Sequence, residues 1–244
     1  MINDGHFHFH YPAPDLVPGL SKDIDVSTDL RRVRRIRQLY NIDKIVGIFI
    51  PPNISIINKI LEEDYIYPGI YLTPIDSIEE IKRKAKISFV KIGADDCSPY
   101  SKRISLLDKA LANGFKKFQL HGSYFTQNFL DMVKHYIKEC DALIYVAHGV
   151  NALYSCFSEV KPEEIKSLEG SLLLGTSPST PVFEVPNLKI KRALDDGLEN
   201  FITFESDFGL HYDDKFYSAS VESVIGAIGE NEKVLYENIK LFLK

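Results

Sequence analysis

Residues 115–149 read FKKFQLHGSYFTQNFLDMVKHYIKECDALIYVAHG, and this stretch decides the fold. Its two ends, Phe115–Leu120 and Leu143–Ala147, are short runs rich in Ile, Val, Phe and Tyr, which is the composition of buried strands. Between them, Phe129–Glu139 repeats its apolar residues at the period of a helix with one buried face. A buried strand, a helix and a second buried strand predict a βαβ unit of a parallel sheet.

The same alternation continues in both directions along the chain, with eight apolar runs separated by charged segments of helical period. The runs are Ile2–Phe9, Lys44–Ile50, Gly69–Ile75, Ile87–Gly93, Phe115–Leu120, Leu143–Ala147, Ser171–Gly175 and Phe201–Phe204. Eight strands in roughly 210 residues predict an α/β protein with a closed (β/α)₈ TIM barrel, because an open doubly wound sheet rarely needs eight parallel strands at this length. No linker or repeat divides residues 1–244, so we expect a single domain, closed by two helices in Ser218–Lys244.

The composition limits the function classes. The chain has 244 residues, of which 45% are hydrophobic, enough for a large core. Its net charge of −5 makes nucleic acid an unlikely partner, and its three cysteines lack metal or disulfide spacing. The sequence shows neither a signal peptide nor a membrane segment. We expect a cytoplasmic protein with a small-molecule substrate and no membrane partner, and the sequence leaves a homo-oligomer open.

The first predicted strand carries a metal-ligand pattern in Asp4-Gly5-His6-Phe7-His8. Alternate residues of a strand point to the same face, so His6 and His8 can present two nitrogens to one cation without bending the backbone. A His-x-His pair alone is more often accidental than functional. Its significance depends on what the other strands contribute.

Several other predicted strands also end in polar side chains that bind metals or transfer protons. His121 follows the fifth strand, His148 ends the sixth, Asp207 follows the eighth, and Lys91 lies within the fourth. Active sites of these barrels lie where the strands end, so we expect these side chains to converge with His6. Imidazole and carboxylate ligands suit zinc first, with manganese, iron, cobalt or nickel as alternatives, in one or two sites.

These residues resemble the amidohydrolase superfamily of metal-dependent hydrolases, and the likeness covers nearly the whole chain. The segment Phe89–Asp95 resembles the fourth strand of the TatD-type branch, whereas Phe201–Gly209 resembles the Gly-Ser-Asp-x-Pro ending of the amidohydrolase-2 branch. The resemblance implies a TIM-barrel enzyme that holds divalent metal ions. The metal ligands that follow from residues and resemblance together are His6, His8, Lys91, His121, His148 and Asp207.

The sequence departs from the family patterns at three positions. Lys91 stands where the TatD-type pattern has a bridging glutamate, and Glu205 and Gly209 replace the glycine and proline around Asp207. Superfamily members use a carboxylated fourth-strand lysine to bridge two metals. Lys91 therefore has two interpretations, a carboxylated bridging ligand or a positive partner of Asp95 or Asp207. One alignment makes His121 the main later ligand, and the other makes it His148.

The chemistry follows from the effect of a divalent ion on water. The ion lowers the pKa of bound water from about 15.7 towards 7, so hydroxide is available at neutral pH. We assign proton transfer to Asp207, and polarisation of the scissile carbonyl or binding of a second metal to His148, or to His121 in the other alignment. The predicted function is hydrolysis of a C–N or ester/lactone bond of a small polar substrate. The alternatives are a TatD-type phosphodiesterase or deoxyribonuclease, an amidohydrolase-2-type decarboxylase and a non-catalytic metal-binding barrel.

Overall fold

The apolar runs form a ring of parallel strands in the computed structural model of the protein. The strands are β1 (Ile2–His8), β2 (Ile42–Phe49), β3 (Ile66–Tyr71), β4 (Phe89–Ile92), β5 (Lys117–His121), β6 (Leu143–Ala147), β7 (Leu172–Gly175), β8 (Ile202–Thr203) and β9 (Phe208–Gly209). The helices are α1 (Val26–Leu39), α2 (Ile54–Ile60), α3 (Ile78–Lys84), α4 (Tyr100–Ala112), α5 (Gln127–Cys140), α6 (Gly149–Leu153), α7 (Pro162–Ile165), α8 (Pro186–Asp195), α9 (Asp214–Ile228) and α10 (Lys240–Leu243). The structure describes residues 1–9, 26–49, 54–60, 62–72, 76–93, 100–122, 125–177, 186–209 and 214–244.

The unit β5–α5–β6 is the βαβ unit that residues 115–149 predict. The hydroxyl of Thr126 accepts a hydrogen bond from the backbone N–H of Phe129 at 3.1 Å, which caps the start of α5. The helix ends at Asp141, which adopts the left-handed conformation with φ 53°. The apolar face of α5 is buried, and β5 and β6 pair in parallel with Leu120 opposite Val146. The predicted βαβ unit is therefore present.

Strands β1 to β8 are hydrogen-bonded in sequence order, and β9 pairs in parallel with β1. The backbone N–H of Gly5 also donates to the carbonyl of Phe204 at 3.0 Å, which links β1 to the segment after β8. The ring is thus nearly closed, and β8 and β9 act as two pieces of one strand interrupted at residues 204–207. The predicted (β/α)₈ TIM barrel is confirmed.

The predicted strand limits agree best where the apolar run has clear ends. The limits of β6 match the prediction, whereas β3 begins three residues before the predicted Gly69. The three added residues include Pro68, which has no backbone N–H to donate. In the structure Pro68 lies inside β3, and its carbonyl accepts from the N–H of Ser88 at 2.8 Å.

The N-terminal ends of the strands are filled by apolar side chains. Phe242 of α10 is fully buried, and its ring lies 5.2 Å from Phe89, 5.6 Å from Tyr145 and 6.2 Å from Tyr67, measured between centroids. The last helix thus closes this end of the barrel. The opposite end, where the strands finish, is left for polar side chains. Among the described residues, no helix combines the length and the apolar character that crossing a bilayer requires.

Candidate metal centre

The structure brings all six predicted ligand residues to the C-terminal end of the barrel. They come from β1, from β4, from β5, from the residue after β6 and from the interruption between β8 and β9. In that order they are His6, His8, Lys91, His121, His148 and Asp207. Residues as far apart in the sequence as His6 and Asp207 meet because parallel strands end on the same side of the barrel.

His6, His8 and Asp207 form the part of the cluster that reaches solvent. The Oδ1 of Asp207 lies 3.1 Å from Nε2 of His8 and 3.5 Å from Nε2 of His6. The side chains of His8 and Asp207 are 19% and 26% exposed, whereas that of His6 is fully buried. Water or a substrate entering from the rim therefore meets His8 and Asp207 first.

His148 completes a deeper group with His6 and Glu205. Its Nε2 lies 4.0 Å from Oδ2 of Asp207, and its Nδ1 lies 3.5 Å from Oε1 of Glu205. The rings of His6 and His148 have centroids 5.2 Å apart. Two sets of three side chains each bring ligand atoms within 4.8 Å of one another, namely His6, His8 and Asp207, and His6, His148 and Glu205.

His121 packs edge-on against His148, with ring centroids 4.6 Å apart. His121 and His148, the main later ligands in the two family alignments, therefore belong to the same cluster. His148 is the one that approaches the carboxylates of Glu205 and Asp207. Burial lowers the pKa of His121 and His148 to about 3, and it also holds the pKa of His6 well below its usual range. Neutral imidazole is the form that binds metals.

Lys91 is buried, and its Nζ contacts Nε2 of His6. Burial lowers the pKa of Lys91 to about 8, while the negative charges of Asp207 and Glu205 oppose that shift. Lys91 is therefore inside the cluster in either interpretation of its role. Asp95, the other partner considered for Lys91, lies outside the described residues.

Glu205 is a candidate site residue that the sequence does not predict, because it stands out there only as a departure from the family pattern. It is fully buried, and its carboxylate accepts from the Tyr145 hydroxyl at 2.7 Å and from the Ser177 hydroxyl at 2.6 Å. Burial raises the pKa of Glu205 to about 8, although these donors act in the opposite direction. The signal was its spacing, since Glu205 stands two residues before Asp207.

Two site residues have backbone conformations that are uncommon for side chains with a Cβ. His148 has φ 58° and Asp207 has φ 51°, both in the left-handed region. Each lies directly after or within the end of a strand, where the chain turns away from the barrel. Such conformations persist where the surrounding contacts determine them, and they concentrate at functional sites.

Comparison of the sequence with protein-family models and with curated protein sequences finds no match. Solved structures do match. A phosphotriesterase from Mycobacterium tuberculosis has a TM-score of 0.69 at 12% identity, covering 99% of this chain and 93% of that one. A probable 2-pyrone-4,6-dicarboxylic acid hydrolase from Acinetobacter baumannii has a TM-score of 0.63 at 13% identity, covering 100% and 99%. An amidohydrolase 2 from Bifidobacterium longum subsp. infantis has a TM-score of 0.57 at 14% identity, covering 99% and 98%.

These neighbours are members of the amidohydrolase superfamily. The predicted likeness to that superfamily is confirmed in fold. The neighbours cover the barrel from end to end, so the likeness is not limited to one βαβ unit.

The donor set of the cluster fits a divalent transition metal. It offers imidazole nitrogens from His6, His8 and His148 and carboxylate oxygens from Asp207 and Glu205, within the two groups described above. Nitrogen and oxygen ligands of this kind suit zinc, manganese, iron, cobalt or nickel. His6 and Asp207 would hold the ion in either alignment, because they face one another across 3.5 Å.

Proposed function

We propose that this protein is a metal-dependent hydrolase that cleaves a C–N or ester/lactone bond of a small polar substrate. The observation that carries this proposal is the approach of His6 and His8 to one oxygen of Asp207, at 3.5 and 3.1 Å, at the C-terminal end of a barrel. The probable 2-pyrone-4,6-dicarboxylic acid hydrolase and the phosphotriesterase among the structural neighbours support hydrolysis in general. Charge and cysteine content support the small-molecule substrate and the cytoplasmic location, which stay predictions.

The proposed roles follow from where each side chain lies. A bound divalent ion would supply Lewis acidity that makes hydroxide available from water at neutral pH. Asp207, partly exposed beside His8, would accept the proton of the attacking water and return it to the leaving group. His148, with its Nε2 directed at Asp207, would help to hold a second ion. His121 would support His148 through their ring contact.

The first prediction concerns metal content. We expect the protein expressed in medium supplemented with zinc and manganese to contain one or two divalent ions per chain, measured by elemental analysis. The His6→Ala variant is expected to lose most of this metal, because His6 belongs to both candidate groups. His135→Ala is the control, since His135 is exposed on α5, outside the barrel. Wild-type protein without metal, and without uptake on titration, contradicts the proposed function.

The second prediction concerns Lys91. An ammonium in contact with Nε2 of His6 competes with a cation for the same nitrogen, so we expect the amine to be carboxylated when two ions bind. A ¹³C carbamate signal after incubation with ¹³C-bicarbonate, lost in Lys91→Met, is the measurement. Lys117→Met is the control, because Lys117 also lies in the barrel wall but donates to the Tyr67 hydroxyl at 2.6 Å. Unchanged metal content and activity in Lys91→Met would remove Lys91 from the site.

A substrate panel separates the proposed hydrolase from its alternatives. We expect turnover of p-nitrophenyl acetate or of dihydrocoumarin, an ester and a lactone, that depends on added metal. Preferential cleavage of bis(p-nitrophenyl) phosphate or single-stranded DNA would indicate the TatD-type phosphodiesterase instead. Release of carbon dioxide from an aromatic carboxylic acid would indicate the decarboxylase. A metal-loaded protein inactive on every substrate would indicate the binding barrel.

A further inference from the structure

Two glycines of the barrel wall leave space for the buried carboxylate of Glu205. The side chain is fully buried. A Cβ atom at Gly175, on β7, would lie 2.0 Å from Oε2 of Glu205, so no larger residue fits at that position. A Cβ at Gly5, on β1, would lie 2.4 Å from the hydroxyl of Tyr145, which is one of the donors to Glu205. Two glycines thus make room for one buried acid and its partner.

The carboxylate is held by four hydrogen bonds of known direction. Oε1 accepts from the backbone N–H of His148 at 2.5 Å, from the backbone N–H of Ser177 at 3.2 Å and from the Ser177 hydroxyl at 2.6 Å. Oε2 accepts from the Tyr145 hydroxyl at 2.7 Å. Backbone N–H groups only donate, so Oε1 is fixed as an acceptor. The position of Glu205 is therefore set independently of any ion.

The two oxygens of Glu205 face two imidazoles of the metal centre in the same way. Oε2 lies 3.4 Å from Nδ1 of His6, and Oε1 lies 3.5 Å from Nδ1 of His148. The opposite nitrogen of each ring, Nε2, faces Asp207, at 3.5 Å from His6 and 4.0 Å from His148. Both rings are therefore oriented between Glu205 and Asp207.

Hydrogen-bond directions determine which nitrogen of the His148 ring carries the proton. The Ser177 hydroxyl gives its proton to Glu205, so in its 2.8 Å contact with His148 it accepts from Nδ1–H. The Nε2 lone pair of His148 therefore faces away from Glu205, towards Asp207. Nδ1 of His6 has no hydrogen-bond partner among the described residues, so the contacts of His6 fix no tautomer.

We propose that Glu205 is a positioning residue that acts through Ser177 to fix His148 as the Nδ1–H tautomer and so presents its Nε2 for metal binding. This role rests on the proposed function, in which that nitrogen helps to hold an ion. Partners of this kind, bonded to the far nitrogen of a ligating histidine, orient the ring and raise its basicity.

The test is the tautomeric state of His148 in metal-free protein, read from ¹⁵N shifts of both ring nitrogens. In wild type we expect His148 to carry the proton on Nδ1. In Glu205→Met the Ser177 hydroxyl loses its acceptor and is free to donate to Nδ1, so His148 is expected to move its proton to Nε2. In Glu205→Gln the amide oxygen keeps the three donors on Oε1, so His148 is expected to stay unchanged. Ser177→Ala removes the acceptor of Nδ1–H, so the preference of His148 for this tautomer should be lost.

Metal affinity provides the second readout. Glu205→Met and Ser177→Ala are expected to bind Zn²⁺ about 10- to 100-fold more weakly than wild type, the usual cost of losing such a partner. Glu205→Asp, which keeps the charge, should recover part of that loss. Glu199→Gln is the control, because Glu199 pairs with Lys233 at 3.1 Å on the outer surface, away from the barrel interior.

Wild-type His148 with its proton on Nε2, or an unchanged tautomer in both Glu205→Met and Ser177→Ala, would overturn the proposal. Loss of one ion per chain in Glu205→Gln with the tautomer unchanged would also overturn it, by making Glu205 a ligand. If Glu205→Met does not fold, Ser177→Ala decides the same question. A wild-type protein that takes up no Zn²⁺ would contradict the proposed function instead, while the tautomers of the metal-free protein would still decide the role of Glu205.

Discussion

Replacing Asp207 by asparagine is expected to lower turnover by about 10²- to 10⁴-fold, the range that general acid–base catalysis contributes. An amide oxygen coordinates weakly and an amide does not carry a proton between water and the leaving group. Asparagine also tolerates the left-handed backbone conformation of Asp207, so the turn between β8 and β9 is kept. The measurement compares metal content and kcat of wild type and Asp207→Asn on whichever ester or lactone of the panel is cleaved.

Asp131→Asn is the matched control for this prediction. Asp131 lies on the exposed face of α5, where it accepts a hydrogen bond from the side chain of Gln127 at 3.0 Å. The same chemical change there should leave turnover within a factor of two or so of wild type, because surface changes rarely exceed about 0.5 kcal/mol. A metal-loaded Asp207→Asn protein with full activity would show that Asp207 does not transfer the proton.

Removing the ring of Phe242 is expected to destabilise the protein by about 3–5 kcal/mol, the usual range for deleting a buried phenylalanine. The ring is fully buried at the closed end of the barrel against Tyr67, Phe89 and Tyr145. Three aromatic rings around the resulting cavity leave it little freedom to collapse. The free energy of unfolding of Phe242→Ala, from urea denaturation of the metal-free protein, tests this.

The control for Phe242→Ala is Phe157→Ala, because the side chain of Phe157 is 73% exposed. We expect a change within about 0.5 kcal/mol there. A loss below about 1 kcal/mol in Phe242→Ala would mean that the ring does not fill the barrel interior. The two substitutions delete the same atoms, so the difference between them measures burial alone.

Local patterns in the sequence were enough to predict the ring of strands and the side chains at its end. A buried strand such as β6 is a short apolar run with polar ends, and His148 follows that run directly. The eighth strand is predicted as Phe201–Phe204, whereas in the structure β8 covers Ile202–Thr203 and a further strand, β9, follows at Phe208–Gly209. The division comes from the left-handed turn at Asp207, which tertiary contacts impose and which no local pattern indicates.

The contacts that organise the candidate site could not be predicted, because they join distant parts of the chain. The hydroxyl of Tyr145 meets Glu205 across 60 residues. In the sequence Tyr145 is an ordinary strand residue and Glu205 is a departure from a family pattern, whereas Lys91 and His6 are both predicted ligands. Only the shear and closure of the barrel, which depend on all strands together, determine which side chains meet inside it.

The pairing of β1 with β9 has a consequence for synthesis. His8 lies opposite Gly209, so the first strand meets its last neighbour only after about two hundred further residues have been made. At a synthesis rate of about 5–20 residues per second, one edge of β1 stays unpaired for on the order of 10–40 s on the ribosome. An unpaired strand edge is a template for pairing with other chains, so the growing chain is most exposed to aggregation in this interval. Chaperones that bind nascent chains would therefore be needed most at the unpaired edge of β1, the strand that contains His6 and His8.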